Sequence, residues 1–133
     1  MPNVPKTILV VDDDPSIVNL LKEDLQIEGY QVVDGYDGRM ALDQARSARP
    51  DLIILDVNMP LLGGLKALET LRETPETREI PVLFLTGEAP DHIAPQLATQ
   101  SRVSQVKKPI DLDDFNAIVK ALMEKYPVEP TQA

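Results

Sequence analysis

The stretch Asp51-Leu-Ile-Ile-Leu-Asp56, which continues as Val-Asn-Met-Pro60, decides the fold. Its four consecutive apolar residues form a run that is too short for an ordinary helix and is typical of a strand buried on both faces. The run ends on an acidic residue, Asp56, and Pro60 then interrupts the pattern. The sequence therefore predicts a buried strand over 51–56 that ends in a carboxylate.

Similar short apolar runs recur on both sides of this stretch and alternate with segments of helical periodicity. Predicted strands are 7–12, 30–33, 51–56, 81–85 and 103–106, and predicted helices are 15–28, 38–47, 64–74, 91–100 and 112–125. Five strands alternating with five helices predict an α/β domain with parallel strands and right-handed crossovers. We expect a flavodoxin-like, doubly wound (βα)5 sheet. Its strand order, 2-1-3-4-5, is the known order of such folds and does not follow from the periodicity alone.

Composition narrows the classes of protein that this chain can represent. With 133 residues, it fits one domain. The formal net charge of −9 argues against nucleic acid as a partner, because phosphate binding needs clustered Lys and Arg. Cysteine is absent, which excludes disulfides and favours a cytoplasmic location. Neither a signal peptide nor an apolar stretch long enough to span a bilayer is present, so we expect no membrane association.

Charged and hydroxyl side chains gather where the predicted strands end. The carboxyl ends of parallel strands lie at one edge of a sheet, and these ends carry Asp12, Asp13, Asp56, Thr86 and Lys108. Two carboxylates about 4 Å apart repel by roughly 4 kcal/mol at an effective dielectric constant near 20, so three need a cation. The sequence therefore predicts a site for Mg²⁺, with Mn²⁺ as an alternative, because hard ions prefer oxygen ligands.

Several of the polar residues also have an ordinary structural interpretation. Asp14 precedes Pro15 and is predicted to be a helix N-cap, and Asp111 is predicted to cap the last helix. His92 is a lone histidine in a polar segment, and we assign it no catalytic role. Taken singly, each acid, hydroxyl or lysine could belong to a solvated turn or surface. The functional interpretation depends on their convergence.

Four motifs together resemble the receiver domain of two-component response regulators, in particular the stand-alone regulators of the chemotaxis type. The motifs are Ile8-Leu-Val-Val-Asp-Asp-Asp14-Pro15, Asp51-Leu-Ile-Ile-Leu-Asp56-Val-Asn-Met-Pro60, Pro81-Val-Leu-Phe-Leu-Thr86-Gly87 and Lys108-Pro109. The resemblance covers roughly residues 5–126 and leaves 127–133 as a short tail. The chain is thus expected to be a stand-alone receiver or one domain of a longer protein.

The resemblance implies a set of metal ligands. Asp56 is the implied phosphoacceptor and also a ligand of the ion. Asp13 is an implied direct ligand of Mg²⁺, and Asp12 helps to hold the ion directly or through water. The backbone carbonyl of Asn58 is implied as a further ligand.

It also implies roles around the phosphoryl group. Lys108 would pair with Asp56 and later with a phosphoryl oxygen, and its bond to Pro109 is expected to be cis. Thr86 would turn its hydroxyl toward the phosphoryl group, and Gly87 would leave room beside it. Because an aspartate is ordinarily ionised at pH 7, the nucleophile needs no general base.

The implied function is signalling rather than ordinary enzymatic catalysis. A sensor histidine kinase or a phosphotransfer protein would donate the phosphoryl group, and the labile acyl phosphate would later hydrolyse. The domain would catalyse only its own phosphotransfer and dephosphorylation, and it would signal to a downstream protein through a change of its surface. The residues name neither the kinase nor the target, and they leave the oligomeric state open.

The sequence departs from the family in the part that usually carries the output signal. Gln105 stands where the family has an aromatic residue, three positions before Lys108. Pro95 falls inside the predicted helix 91–100, which it is expected to shorten or kink. The loop over 61–64 reads Leu-Leu-Gly-Gly, without the usual acidic or Asn residue before the last Gly. We predict that the aromatic part of the family's switch is absent.

Four alternatives compete with this interpretation. An FMN-binding domain shares the sheet order but needs a Ser-, Thr- and Gly-rich loop after the first strand. A P-loop NTPase needs GxxxxGK[ST], which is missing. An aspartate phosphatase would need a second acid in the segment Asp56-Val57-Asn58-Met59. A receiver-like module that binds proteins without being phosphorylated remains the main alternative, because the output face is unusual.

Overall fold

The computed structural model describes residues 5–57, 63–87 and 102–128. Within these ranges the chain forms five strands and four helices in alternation along most of its length. They are β1 (Thr7–Val11), α1 (Pro15–Ile27), β2 (Gln31–Gly35), α2 (Gly38–Ala48), β3 (Leu52–Asp56), α3 (Gly64–Glu73), β4 (Val82–Thr86), β5 (Val103–Lys107) and α4 (Leu112–Lys125). The helix predicted over 91–100, with His92 and Pro95, lies outside the described residues.

All strand pairs are parallel, and the strand order is β2-β1-β3-β4-β5. Strand β1 pairs with β2 on one side and with β3 on the other, so that Leu9 lies opposite both Val33 and Ile53. The predicted fold class and strand order are therefore confirmed. Because all five strands run in the same direction, their carboxyl ends share one edge of the sheet, hereafter the carboxyl edge; the opposite one is the amino edge.

Buried apolar side chains form one layer on each face of the sheet. Residues of β1 alternate between them: Leu9 and Val11 belong to the layer that α2 and α3 cover, whereas Ile8 and Val10 belong to the layer that α1 and α4 cover. This alternation follows from the two-residue period of a strand. Both layers are fully buried at β1, β3 and β4, which explains the continuous apolar runs in the sequence.

One predicted boundary differs from the structure by two residues. β2 continues to Gly35, although the apolar run ends at Val33. Asp34 can occupy a strand because β2 is an outermost strand, paired on one side only. The Asp34 carboxylate lies 3.3 Å from Nζ of Lys22 on α1. The other boundaries that fall in the described ranges lie within one residue of their predicted positions.

The predicted helix caps are confirmed. Oδ1 of Asp14 accepts a hydrogen bond from the Ser16 N–H at 2.9 Å and caps α1. Oδ1 of Asp111 accepts from the Asp113 and Asp114 N–H groups and caps α4. These two acids are therefore occupied at helix ends. In the part of the chain that the structure describes, no helix has the length and apolar character needed to cross a membrane.

Candidate functional site

Three carboxylates from two neighbouring strands meet at the carboxyl edge. Asp56 is the last residue of β3, and Asp12 follows the last residue of β1. The β1–β3 register places Val11 beside Leu55, which brings the next residue of each strand side by side. Asp12 is fully buried and Asp56 is 5% exposed, whereas Asp13 is open to solvent. One carboxylate oxygen from each of the three lies within 4.8 Å of the others.

Lys108 reaches into this group of acids from the end of β5. Its Nζ lies 2.9 Å from Oδ2 of Asp12 and 3.5 Å from Oδ1 of Asp56. The backbone N–H of Lys108 donates to the Thr86 carbonyl at 2.7 Å, which fastens the end of β5 to the end of β4. The Lys108–Pro109 peptide bond is cis, as expected. The lysine is thus held at the two buried acids.

The charges of these acids raise the pKa of Lys108. Burial alone lowers the pKa of Lys108, but contact with Asp12 and the negative charge of Asp56 together outweigh burial, so its pKa lies above the ordinary value of 10.5. The ammonium group therefore stays protonated throughout the physiological range. It supplies a fixed positive charge beside Asp56.

The donor set of this site fits a divalent cation. Three carboxylates and one ammonium leave two negative charges at the site, which one divalent ion would balance. The donors are all hard oxygens, as Mg²⁺ prefers, and the exposure of Asp13 leaves room for the waters that Mg²⁺ retains. Asn58, predicted to contribute its backbone carbonyl, lies outside the described residues.

Thr86 and Gly87 stand beside these acids on the next strand. Thr86 ends β4 and is 1% exposed, and the residue before it, Leu85, pairs with Asp56 of β3. No atom of the described residues lies within 4 Å of a Cβ built at Gly87. The register thus puts Thr86 one position beyond Asp56, the last residue of β3. The roles assigned to both residues stay predictions.

Gly64 is a site residue whose importance the sequence did not reveal. A Cβ at this position would collide with the Asp56 carbonyl oxygen and come within 2.9 Å of the Val57 Cα and 3.1 Å of a Phe84 ring carbon. The Gly64 N–H also donates to the Val57 carbonyl at 2.9 Å. The start of α3 therefore packs directly against the backbone that carries Asp56. Two glycines at a predicted helix start were visible, but the close approach was not.

Fold and site define an α/β domain of the receiver type, with an acidic cluster and one lysine at the carboxyl edge of a parallel sheet. The family model of the response regulator receiver domain matches residues 8–120. The chain belongs to this family.

Relatives and solved structures agree with this assignment. The chain is 37% identical over 120 residues to the alkaline phosphatase synthesis transcriptional regulatory protein PhoP of Bacillus subtilis, covering 90% of this chain and 49% of that protein. The chemotaxis protein CheY4 of Vibrio cholerae superposes with a TM-score of 0.84 at 30% identity, covering 90% of this chain and 99% of that one. The receiver domain of the sensor histidine kinase PA1611 of Pseudomonas aeruginosa, solved with a magnesium ion coordinated in its active site cleft, gives 0.81 at 25% identity, covering 91% and 99%.

Family membership establishes the general role of the chain. Receiver domains are phosphoacceptor modules of two-component systems rather than classical enzymes, and they pair with histidine kinases or phosphotransfer proteins. They typically bind Mg²⁺, and the acidic cluster found here could hold such an ion. The chain spans about half the length of the first curated relatives it matches.

Proposed function

We propose that this domain accepts a phosphoryl group on Asp56 from the phosphohistidine of a kinase or phosphotransfer protein, in a reaction that needs Mg²⁺ or Mn²⁺. The convergence of Asp12, Asp13 and Asp56 within 4.8 Å, with the Lys108 ammonium against two of them, carries this proposal. A chain that used these acids only as solvated turn residues would have no reason to bury Asp12 and Asp56 at one point.

Asp56 is the nucleophile in the proposed reaction. One of its carboxylate oxygens forms a bond to phosphorus while the bond from phosphorus to the histidine nitrogen breaks, and that nitrogen keeps the electron pair. The products are an acyl phosphate on Asp56 and a histidine that is free to be phosphorylated again. Such a transfer needs positioning and charge stabilisation more than covalent machinery. Packing of Gly64 under the Asp56 carbonyl fixes the position of the nucleophile.

Lys108 and Thr86 are proposed to receive the new phosphoryl oxygens. The Lys108 ammonium gives up part of its contact with Asp56 and pairs with one oxygen, and the Thr86 hydroxyl donates to another. Asp12 and Asp13, together with the carbonyl of Asn58, would hold the metal. A bound Mg²⁺ ion would supply neutralisation of the charge that builds up between the anionic donor and the acids.

Hydrolysis resets the proposed switch. A water attacks the phosphorus, the bond to the Asp56 oxygen breaks, and inorganic phosphate leaves with the carboxylate restored. Space beside Gly87 would admit that water. A downstream protein would bind the surface that differs between the two states. The formal net charge of −9 favours a protein over a nucleic acid as this partner.

Intact mass after incubation with acetyl phosphate and Mg²⁺ tests the proposal. The wild type is expected to gain the mass of one phosphoryl group, and the gain should disappear with EDTA or with Asp56→Asn. A matched control is Asp51→Asn, at the residue just before the same strand begins. Asp51 accepts the Thr7 N–H at 2.9 Å, and Asn keeps an acceptor oxygen there. Asp51→Asn should therefore still be phosphorylated.

The competing binding-only function predicts a different result. If the wild type gained no mass although it bound Mg²⁺ and was folded, the chain would act as a receiver-like module that binds partners without phosphorylation. A mass gain that survived Asp56→Asn would place the phosphoryl group elsewhere and would contradict the proposed role of Asp56.

A further inference from the structure

The side chain of Gln105 has a buried polar atom that the fold does not use. Gln105 is the middle residue of β5 and is half-buried. Its Oε1 is shielded from solvent and accepts no hydrogen bond in this structure. A buried acceptor without a donor is unfavourable, and an apolar side chain at this position would avoid the cost. A donor that reached Oε1 in another state of the domain would remove this cost.

The register identifies which donor can reach Oε1. Gln105 pairs with Phe84 across the β4–β5 ladder, and Thr86 follows two residues after Phe84. Phe84 and Val103 both pack in the layer covered by α2 and α3, so Gln105 and Thr86 project from this same face of the sheet. Diagonal neighbours on one face are roughly 7–8 Å apart between Cα atoms, which a long side chain can bridge.

Thr86 is the hydroxyl donor that the register places diagonal to Gln105 on this face of β4 and β5. Thr86 as a whole is 1% exposed, so the hydrogen bonds of its hydroxyl are made inside the protein. The other polar side chain on this face of β5, Lys107, is exposed to solvent. A threonine can exchange the positions of its hydroxyl and methyl groups by rotation about χ1, because both lie on the Cβ.

We infer that Gln105 is a positioning residue for Thr86: its Oε1 accepts the Thr86 hydroxyl in a second χ1 rotamer, which withdraws the hydroxyl from the phosphoryl site. This inference rests on the proposed function of Asp56. A phosphoryl oxygen is the competing acceptor, and hydrogen bonds to a charged acceptor are about twice as strong as those between neutral groups. Phosphorylation therefore draws the hydroxyl to the phosphoryl group, and Gln105 sets how readily it leaves.

Binding of beryllofluoride with Mg²⁺ measures this competition, because the complex occupies the phosphoryl position without transfer. Gln105→Met keeps the length of the side chain and removes the acceptor. It is expected to tighten beryllofluoride binding about fivefold, since the withdrawn rotamer loses one hydrogen bond. In a Thr86→Val background the same substitution should have no effect. Ser104→Ala, on the opposite face of β5, is the matched control and should leave the affinity unchanged.

Three-bond couplings to the Thr86 side chain give an independent readout in the free protein. Gln105→Met should shift the Thr86 χ1 populations toward a single rotamer. An affinity change that is equal with and without the Thr86 hydroxyl, or unaltered χ1 populations, would overturn the inference. If wild type and Thr86→Val both fail to bind beryllofluoride, the proposed function of Asp56 fails, and the χ1 populations still decide whether Gln105 holds Thr86.

Discussion

Groups of like charge lie close together at both the carboxyl edge and the amino edge of the sheet, but different partners offset the repulsion at each edge. At the carboxyl edge, three acids crowd together and an ammonium group lies against two of them, while Asp13 remains open to solvent. At the amino edge, two guanidinium groups, those of Arg72 and Arg102, come close enough to repel. Burial lowers the pKa of Arg72 to about 10, and the charge of Arg102 acts in the same direction.

The groups that face these charges explain the difference. Arg72 donates to the backbone carbonyls of Ile80 at 2.7 Å and of Arg102 at 3.3 Å, and the Arg102 guanidinium lies 5.3 Å from the centre of the Tyr126 ring. Backbone carbonyls and a ring are permanent parts of the fold, so the amino edge is structural. The excess negative charge at the carboxyl edge has no such fixed partner among the described residues beyond Lys108, and an exchangeable cation could balance it.

The largest expected effect comes from filling the close contact at Gly64. Gly64→Ala should destabilise the domain by about 3 kcal/mol, because its Cβ would meet backbone that cannot move aside. Phosphorylation of the remaining folded protein should also slow, since the same backbone carries Asp56. Urea unfolding and the intact-mass assay measure the two effects.

Gly63→Ala is the matched control for that prediction. At Gly63 the nearest atom among the described residues is 3.7 Å from a built Cβ, and its φ of −66° suits any residue. This variant should keep wild-type stability within about 1 kcal/mol. Equal losses for the two variants would show that the loop, and not the contact under Asp56, limits stability.

Removing Arg72 should separate stability from function. Arg72→Met removes the side-chain donor of the Ile80 carbonyl, whereas the Arg102 carbonyl keeps the Val82 N–H at 2.9 Å. We expect a loss of about 2 kcal/mol in the free energy of unfolding. The phosphorylation rate of the folded fraction should be unchanged. Lys66→Met on the same helix, where the ion pair with Glu69 is exposed, should cost less than about 0.5 kcal/mol. A phosphorylation defect in Arg72→Met would contradict the assignment of this edge to structure.

At the carboxyl edge, Asp13→Asn should remove most of the stabilisation that Mg²⁺ provides. At a free Mg²⁺ concentration about tenfold above its Kd, wild type should gain about 1.4 kcal/mol of stability. Asp13→Asn should lose most of this gain, and without Mg²⁺ it should be slightly more stable than wild type because one repulsion is gone. Asp14→Asn is the control, since Asn caps a helix as well as Asp. Thermal unfolding with and without Mg²⁺ distinguishes the two variants.

The sequence predicted the carboxyl edge better than the amino edge, and the reason is physical. The meeting of Asp12, Asp13, Asp56 and Lys108 was predictable, because parallel strands place their carboxyl ends together and apolar runs mark where each strand ends. The strand order was taken from the known order of such folds and not from the periodicity. The family resemblance then assigned a role to each residue. Those roles remain predictions, as do the domain limits 5–126 and the tail over 127–133.

Contacts that use backbone atoms were not predictable. Arg72 reaches carbonyls 8 and 30 residues away, and a carbonyl is present at every position and carries no signal in the sequence. The contact at Gly64 likewise depends on the distance between α3 and β3 and not on a residue type. β2 was underestimated at its end because Asp34 is polar, although an edge strand tolerates a polar side chain.

The smallest expected effect concerns Tyr30, at the amino edge just before β2. Burial raises the pKa of Tyr30 above its ordinary value of 10.0, and the negative charges of Glu28 and Glu124 add to this. Below about pH 10 the phenol is neutral in both the folded and the unfolded chain, so it contributes no pH dependence. Above that value the unfolded chain ionises first, because the folded chain holds its proton more tightly. Stability should therefore fall more steeply in wild type than in Tyr30→Phe as the pH rises through 10 toward the folded pKa. Urea unfolding of both proteins from about pH 7 to 11 measures this difference, in which all other titrating groups cancel. If the difference in unfolding free energy between wild type and Tyr30→Phe stayed constant over the whole pH range, Tyr30 would have the same pKa in the folded and the unfolded chain, and the prediction would be wrong.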